Sequence, residues 1–190
     1  LQAVQNVVGS RTTLPILSNV LLQAQEGRLA FTATDLDVTV ACTVEAKVAR
    51  PGSTTLPARR LFSIVRELGT QEIEVEVDEK NSCSLVSGSS YFKINGLAAE
   101  EFPPLPTFAD NRHVTLPQDK MKGMLRRTAF AVSNDEARYV LNGLYFSFRE
   151  HKVTLVATDG RRLALTDEEL DIPAESQAEF IVPTKAINEL

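Results

Sequence analysis

The chain has 190 residues, enough for one or two domains with apolar cores. Hydrophobic residues make up 43% and charged residues 24%, the balance of a soluble globular protein. No apolar run approaches the roughly 20 residues that a membrane span needs. The formal net charge is −5, which taken alone argues against nucleic-acid binding.

The first residues show no basic region followed by an apolar one, so no signal peptide is predicted and a cytoplasmic protein is expected. Cys42 and Cys83 lie in alternating, strand-like surroundings and are interpreted as small core residues kept reduced, with a disulfide as the alternative. The sequence starts without Met and ends inside a helical pattern, so a fragment is expected at both ends.

The first half of the chain predicts a helix, several strands and a second helix. Apolar residues at 1, 4, 7 and 8 have helical spacing, and Pro57 is expected to open a helix whose apolar stripe is Leu61, Ile64, Val65 and Leu68. Strands are predicted over 16–25, 28–34, 36–49 and 71–78, the last with one face in a core, and a hairpin over 82–94. A proline-rich linker is predicted over 100–110.

The pattern then restarts. Pro117 leads into a helix in which Met121, Met124, Leu125 and Thr128 follow the first stripe sixty positions later. A loop over 133–138 and strands from Tyr139 are predicted next, followed by an acidic connection over 166–179. Pro183 is expected to start the last helix.

One stretch organises the chain: residues 156–165, VATDGRRLAL, read as a strand, a Thr-Asp-Gly turn and a second strand. Residues 31–40, FTATDLDVTV, are an earlier version of it, and Asp35 precedes Asp159 by 124 positions. That spacing is too long for a solenoid repeat, so the sequence predicts a duplicated domain of repeated strand–helix units with antiparallel sheets, the α+β class.

Charge is segregated within these units. The strand over 71–78 alternates apolar residues with Glu and Asp, whereas the predicted helices carry basic residues opposite their apolar stripes: Arg59, Arg60, Arg66, Lys120, Lys122, Arg126 and Arg127. Two interpretations stay open from charge alone. Either the helices together present one basic surface, or the basic residues simply lie on ordinary solvated helix faces.

Catalytic and metal-binding patterns are not found in the sequence. It has no Gly-rich phosphate loop ending in Gly-Lys-Ser/Thr and no Gly-x-Ser-x-Gly elbow, and His113 and His151 lack ligand-like neighbours. Asp35 and Asp159 are interpreted as turn-forming, because Asp37 becomes Arg161 in the second copy and no carboxylate pair recurs. We therefore expect no enzyme activity, no cofactor and no metal.

Five segments together resemble the bacterial DNA polymerase III β subunit, the sliding-clamp family. They are TLPIL at 13–17, TATDLD at 32–37, LPARRLF at 56–62, RYVLNG at 138–143 and ATDGRRLA at 157–164. The resemblance implies duplicated clamp domains with sheets outside and helices lining a central hole. Residues 1–109 would be the first domain without its N-terminal strand, and 110–190 part of the second. The whole protein would be a homodimeric ring of three-domain subunits.

The resemblance also implies partners. As a processivity factor in DNA replication, the clamp would encircle double-stranded DNA and turn its basic helices toward phosphates. The implied DNA-binding residues are Arg11, Arg59, Arg60, Lys120, Arg126 and Lys185. In the 133–138 loop, Asn134 suits a place near DNA, whereas Asp135 and Glu136 do not.

The second turn would form part of a hydrophobic pocket for short peptide motifs of the replicative polymerase, the clamp loader and repair proteins. The matching residues are Leu141, Thr158, Gly160, Arg161, Arg162 and Leu163. Many family members have His at the position of Arg161, so the charge at the pocket rim differs here.

Two other functions remain as alternatives. A duplicated α+β enzyme acting on an anionic small molecule would need converging catalytic groups on the helix face. A protein-interaction scaffold without a DNA role would show no salt-sensitive association with DNA.

Overall fold

The computed structural model describes residues 2–8, 14–68, 72–105 and 113–188. The chain divides into two compact units, Leu1–Pro106 and Thr107–Leu190. Each unit is described by itself below.

The first unit contains two antiparallel sheets. A four-stranded sheet has the order β3-β2-β1-β4, and a three-stranded sheet has the order β5-β6-β7. A single bridge between Thr55 and Leu97 ties β4 to the segment that follows β7. The elements are α1 (Gln2–Gln5), β1 (Asn19–Gln25), β2 (Arg28–Thr34), β3 (Thr39–Glu45), β4 (Gly52–Pro57), α2 (Ala58–Glu67), β5 (Glu74–Val77), β6 (Ser82–Ser87) and β7 (Ser90–Asn95).

The second unit repeats the larger sheet. Its four antiparallel strands have the order β10-β9-β8-β11, which places the third, second, first and fourth strands side by side as in the first unit. The elements are α3 (Gln118–Thr128), β8 (Gly143–Arg149), β9 (Lys152–Thr158), β10 (Leu163–Glu169), β11 (Ala178–Pro183) and α4 (Thr184–Ile187). The predicted duplication is thus visible as one strand order used twice.

Helix α3 covers one face of this sheet because its apolar stripe is complementary to the alternating strands. Met124 and Leu125 are buried, in one cluster with Leu144, Phe146 and Leu155 from β8 and β9. The predicted stripe of α3 is therefore confirmed, with Met121 packed at its margin. In α2 the stripe is looser, since Leu61 is buried and Ile64, Val65 and Leu68 are half-buried.

Several predicted boundaries were wrong. Residues 15–18 form a short 3₁₀ helix and β1 starts only at Asn19. Strand β3 starts at Thr39 and ends at Glu45, inside the predicted strand over 36–49. Residues 136–141 form a kinked 3₁₀ segment, so the strand expected from Tyr139 begins at Gly143.

Pro57 and Pro183, which were expected to begin their helices, instead precede them as caps with extended ψ. Pro117 leads into α3 as predicted, also as the cap. The ring of proline fixes φ near −65°, a value that suits the end of a strand as well as the start of a helix.

Strand β5 does not bury a face within the first unit, as the alternation over 71–78 had predicted, since Val75 is 43% exposed. The strand lies at the edge of its three-stranded sheet, so among the described residues only β6 pairs with it.

Both cysteines are free, as predicted, but only one is a core residue. Cys83 is buried, and burial raises the pKa of its thiol to about 11, which keeps it protonated and unreactive. Cys42 is half-buried on the edge strand β3.

Candidate functional site

The turn between β9 and β10 is held by its own polar side chains. Asp159 Oδ1 accepts hydrogen bonds from the backbone N–H groups of Arg161 (2.9 Å) and Arg162 (3.0 Å). These two donors hold the pKa of the Asp159 carboxyl below its ordinary value. The turn-forming role predicted for Asp159 is what the structure displays.

Thr158 closes the same turn from the other side. Its Oγ1 accepts from the N–H of Gly160 (3.1 Å) and donates to the carbonyl of Arg162 (2.7 Å). Gly160 adopts φ of +86°, a left-handed value that glycine reaches without strain. The backbone of the turn is thus held by Thr158 and Asp159, and the side chains of Arg161 and Leu163 are exposed, that of Leu163 by 65%.

Arg162 makes two contacts within the unit. Its Nε lies 3.1 Å from Asp159 Oδ2, and its guanidinium carbon lies 5.6 Å from the centre of the Phe130 ring. The phenyl ring is itself 60% exposed. The guanidinium therefore packs over an exposed aromatic ring, and cation–π attraction stabilises this contact.

Arg138 is a site residue that the sequence did not reveal. Its Nη1 donates to the carbonyl of Asp159 (3.0 Å), and its Nε lies 2.9 Å from Asp135 Oδ2. This charge-assisted bond lowers the pKa of the Asp135 carboxyl. Arg138 thus ties the 3₁₀ segment over 136–141 to the turn. Nothing in the local pattern marks it, because its partner lies 21 positions away.

The structure brings Leu141 to the same end of the sheet as the turn. Tyr145 pairs with Val156 across β8 and β9, a register that places Gly143 opposite Thr158. Leu141, two residues before Gly143, is half-buried. The five turn residues named by the sequence lie together, and Leu141 belongs to the segment that Arg138 anchors.

Apolar side chains with high exposure are concentrated in the segments that border the turn. Tyr139 is 79% exposed, Leu165 58% and Val140 50%, in addition to Phe130 and Leu163. Single exposed apolar residues are ordinary, but several around one turn mark a surface suited to a partner.

The earlier Thr-Asp turn, between β2 and β3, has the same skeleton. Asp35 Oδ1 accepts from the N–H groups of Asp37 (3.2 Å) and Val38 (2.8 Å). Thr34 Oγ1 accepts from the N–H of Leu36 (3.1 Å) and donates to the carbonyl of Val38 (3.2 Å). The two copies thus share hydrogen bonds as well as sequence.

The predicted basic residues differ in whether a nearby carboxylate offsets their positive charge. Arg59 and Arg60 lie exposed on α2, and Arg126 lies exposed on α3; within the described ranges, no ion pair involves any of the three. Lys120 and Arg127 instead both reach Glu168 on β10, each at 3.3 Å. The predicted basic face of α3 is therefore divided, with one side turned toward a carboxylate.

Two further residues, Lys185 and Arg11, were predicted to bind DNA. Lys185 is half-buried on the short helix α4. Arg11 lies outside the described residues. None of the helices that the structure describes is long and apolar enough to cross a membrane.

The fold and the paired turns define an α+β protein with internally duplicated domains, and comparison with known proteins gives its family. The N-terminal domain of the DNA polymerase III beta subunit matches residues 1–106, and the central domain of that subunit matches residues 115–190. The chain belongs to the DNA polymerase III beta subunit family, as the sequence motifs had indicated.

Curated relatives agree along the whole chain. The beta sliding clamp of Chlamydia trachomatis is 41% identical over 190 residues, which cover all of this chain and 46% of that protein. The beta sliding clamp of Escherichia coli is 39% identical over 194 residues, covering all of this chain and 52% of that protein. The chain spans about half the length of the curated relatives it matches.

Solved structures confirm the clamp fold. The sliding clamp of Bacillus subtilis superposes with a TM-score of 0.91 at 33% identity, over 99% of this chain and 52% of that chain. A clamp from Bartonella birtlesii bound to griselimycin gives a TM-score of 0.91 at 39% identity, over 99% of this chain and 51% of that chain.

Proposed function

We propose that this chain is the part of a sliding clamp that holds regions of its first and second domains, corresponding to residues 1–109 and 110–190. The whole protein would form a homodimeric ring around duplex DNA in the cytoplasm and tether the replicative polymerase without catalysing a reaction itself. The observation that carries the proposal is the match of 99% of the chain to solved clamps at TM-scores near 0.9.

The proposed DNA-facing residues are Arg11, Arg59, Arg60, Lys120, Arg126 and Lys185. Exposure and lack of an ion pair within the described ranges favour Arg59, Arg60 and Arg126. Lys120 would contribute less, because Glu168 already offsets its charge. Contacts of this kind would be to phosphates and would not depend on base sequence.

The test uses a full-length clamp that contains these 190 residues, loaded onto nicked circular DNA. Protein held by topology stays on the circle in high salt and leaves once the circle is cut to a linear form. Equal loss from circular and linear DNA would contradict the proposal. An otherwise matched linear DNA with blocked ends, on which the protein should remain, provides the control.

We also propose that the second turn is one wall of a site for short peptide motifs of the polymerase, the clamp loader and repair proteins. Leu163 and Leu141 would supply apolar surface, Thr158 and Gly160 the backbone shape, and Arg161 and Arg162 a positive rim. The exposed apolar residues around the turn support this. Griselimycin, which is bound in two solved clamp structures, would serve as a probe of this proposed site.

A further inference from the structure

We propose that Glu168 lowers the affinity of the second unit for DNA by pairing with two basic residues of helix α3. The proposal rests on the proposed function, because it requires the exposed side of α3 to face duplex DNA. Glu168 Oε2 lies 3.3 Å from Lys120 Nζ, and Glu168 Oε1 accepts a hydrogen bond of 3.3 Å from Arg127 Nη2. One carboxylate thus contacts both cations, with a different oxygen for each.

Glu168 lies on the helix-facing side of strand β10, next to the apolar core. Side chains alternate along a strand, so Glu168 is on the same face as Ala164, which is buried in the cluster that includes α3. Its partner across the sheet is Val153, which is fully buried in the same cluster. The Glu168 side chain is only 27% exposed. A carboxylate that is partly withdrawn from water requires a charged partner, so its position in the sheet favours the pairing.

The spacing along α3 allows both cations to reach this carboxylate. Lys120 and Arg127 are seven positions apart, which places them on one side of the helix and about 10 Å apart along its axis. Lys122 and Arg126 are four positions apart on another side, both exposed, and within the described ranges neither takes part in an ion pair. Helix α3 therefore carries two paired and two unpaired cations.

The pairing affects how strongly α3 can bind DNA. Association with DNA gains free energy when cations of the protein neutralise phosphates and counterions leave the duplex. Lys120 and Arg127 must first give up the Glu168 carboxylate, so their net gain is smaller than that of Lys122 and Arg126. Glu168 thus acts as an internal competitor of phosphate, and it limits the number of phosphate contacts made by the second unit.

The experiment measures the affinity of a full-length clamp that contains these 190 residues for a short linear duplex, by fluorescence anisotropy between about 50 and 200 mM salt. Glu168→Gln releases Lys120 and Arg127. The slope of log K against log salt concentration should therefore steepen by about 0.9 for each released cation that reaches a phosphate. Affinity at the lowest salt concentration should rise by roughly threefold to tenfold. Circular dichroism shows whether the variant is folded.

Glu169→Gln is the matched control for net charge. Glu169 is the next residue of β10, is exposed on the opposite face of the strand, and takes part in no ion pair within the described ranges. Its substitution changes the charge by the same amount and should leave the slope unchanged. Equal steepening in the two variants would show an effect of net charge alone and would overturn the proposal, as would an unchanged slope in Glu168→Gln.

Arg127→Gln tests the pairing from the other side and does not depend on the folding of Glu168→Gln. In the otherwise wild-type clamp it should change the slope much less than Arg126→Gln, which should reduce the slope by about 0.9. In the Glu168→Gln background, Arg127→Gln should have the full effect. An equal reduction by Arg127→Gln and Arg126→Gln in the wild-type background would overturn the proposal.

These results are separable from the clamp function. A wild-type clamp that stays on circular DNA, with no special effect of Glu168→Gln on the slope, contradicts only the role of Glu168. A clamp that is lost equally from circular and linear DNA contradicts the proposed function, whatever the variants show.

Discussion

The two Thr-Asp turns of this chain share a backbone conformation but expose different side chains. In both, a threonine and an aspartate bind the next backbone groups in the same pattern. The first turn then directs Val38 into the core, at 8% exposure, and follows it with Thr39, which donates to Thr34 Oγ1 at 2.8 Å. The second places Arg162 and Leu163 at the corresponding positions, both exposed.

The residue after the aspartate differs as well. Leu36 and Gly160 adopt nearly the same left-handed conformation, with φ of +80° and +86°. Leucine is strained there and glycine is not. Because the backbone does not distinguish the turns, any difference in binding between them is expected to come from side chains, and at the second turn Arg138 is hydrogen-bonded to the Asp159 carbonyl. The predictions below test that difference.

The largest effect is expected from Gly160→Ala. The added Cβ would lie 3.2 Å from Arg138 Nη1, and alanine at this φ costs about 1–2 kcal/mol. Urea denaturation should show that loss, and griselimycin affinity of a full-length clamp should fall by roughly tenfold if the turn relaxes away from its native shape. Leu36→Ala, which keeps the strained conformation in the first turn, is the control and should leave griselimycin affinity unchanged.

Arg138→Ala should come next. It removes the hydrogen bond to the Asp159 carbonyl and leaves Asp135 without its partner, so we expect griselimycin affinity to fall by roughly threefold to tenfold. Arg149→Ala breaks an ion pair of the same length, with Glu179, on another part of the sheet, and should not affect binding. Equal losses in the two variants would show that Arg138 has no special link to the turn.

Arg162→Ala should weaken peptide binding while the fold persists. The guanidinium contributes a cation–π contact with Phe130 at an exposed site, where such contacts are worth about 0.5–1 kcal/mol. Isothermal titration with a short clamp-binding peptide measures the affinity, and circular dichroism the fold. Unchanged affinity would remove Arg162 from the binding surface.

Leu36→Gly should stabilise the protein slightly. Relief of about 1–2 kcal/mol of strain is largely offset by the greater backbone freedom of glycine in the unfolded chain, about 0.5–1 kcal/mol. The midpoint of urea denaturation should therefore rise a little, and Leu36→Ala should not raise it. A drop in Leu36→Gly would mean that the exposed leucine side chain has a packing role.

The smallest effect concerns pH. The pKa of Asp159 is lowered in the folded protein, first by the Arg161 N–H and then by the Arg162 N–H. Its contribution to stability is therefore present above the unfolded value near 3.8 and is lost as pH falls through the lower folded value. Amide shifts of Arg161 and Arg162 should report this titration, and Asp159→Asn should abolish it.

Periodicity and the internal repeat were sufficient to predict the fold class, the apolar stripe of α3 and the duplicated turn. Met124, Leu125 and Thr128 are buried because apolar residues at helical spacing must face a core. The turn itself followed from the chemistry of Asp and Gly, whereas its residues were assigned to a peptide pocket only through the resemblance to the clamp family.

Other features depend on contacts that no local pattern encodes. Arg138 reaches across 21 positions to Asp159, and Glu168 reaches Lys120 and Arg127 across more than 40. Val75 was predicted as a core residue because it alternates with glutamates, yet it is exposed on a strand at the edge of its sheet. Sheet order and long-range ion pairs thus determine features that the spacing of residues along the sequence cannot predict.

The most direct test of the division between the two turns is an NMR titration of a full-length clamp, selectively ¹⁵N-labelled, with griselimycin. Saturable shifts at residues 158–163 and at Arg138, with residues 34–38 unmoved, are the predicted result. Equal shifts at both turns, or shifts confined to the first, would contradict the proposal that side chains, and not a difference in backbone shape, make the second turn a binding surface.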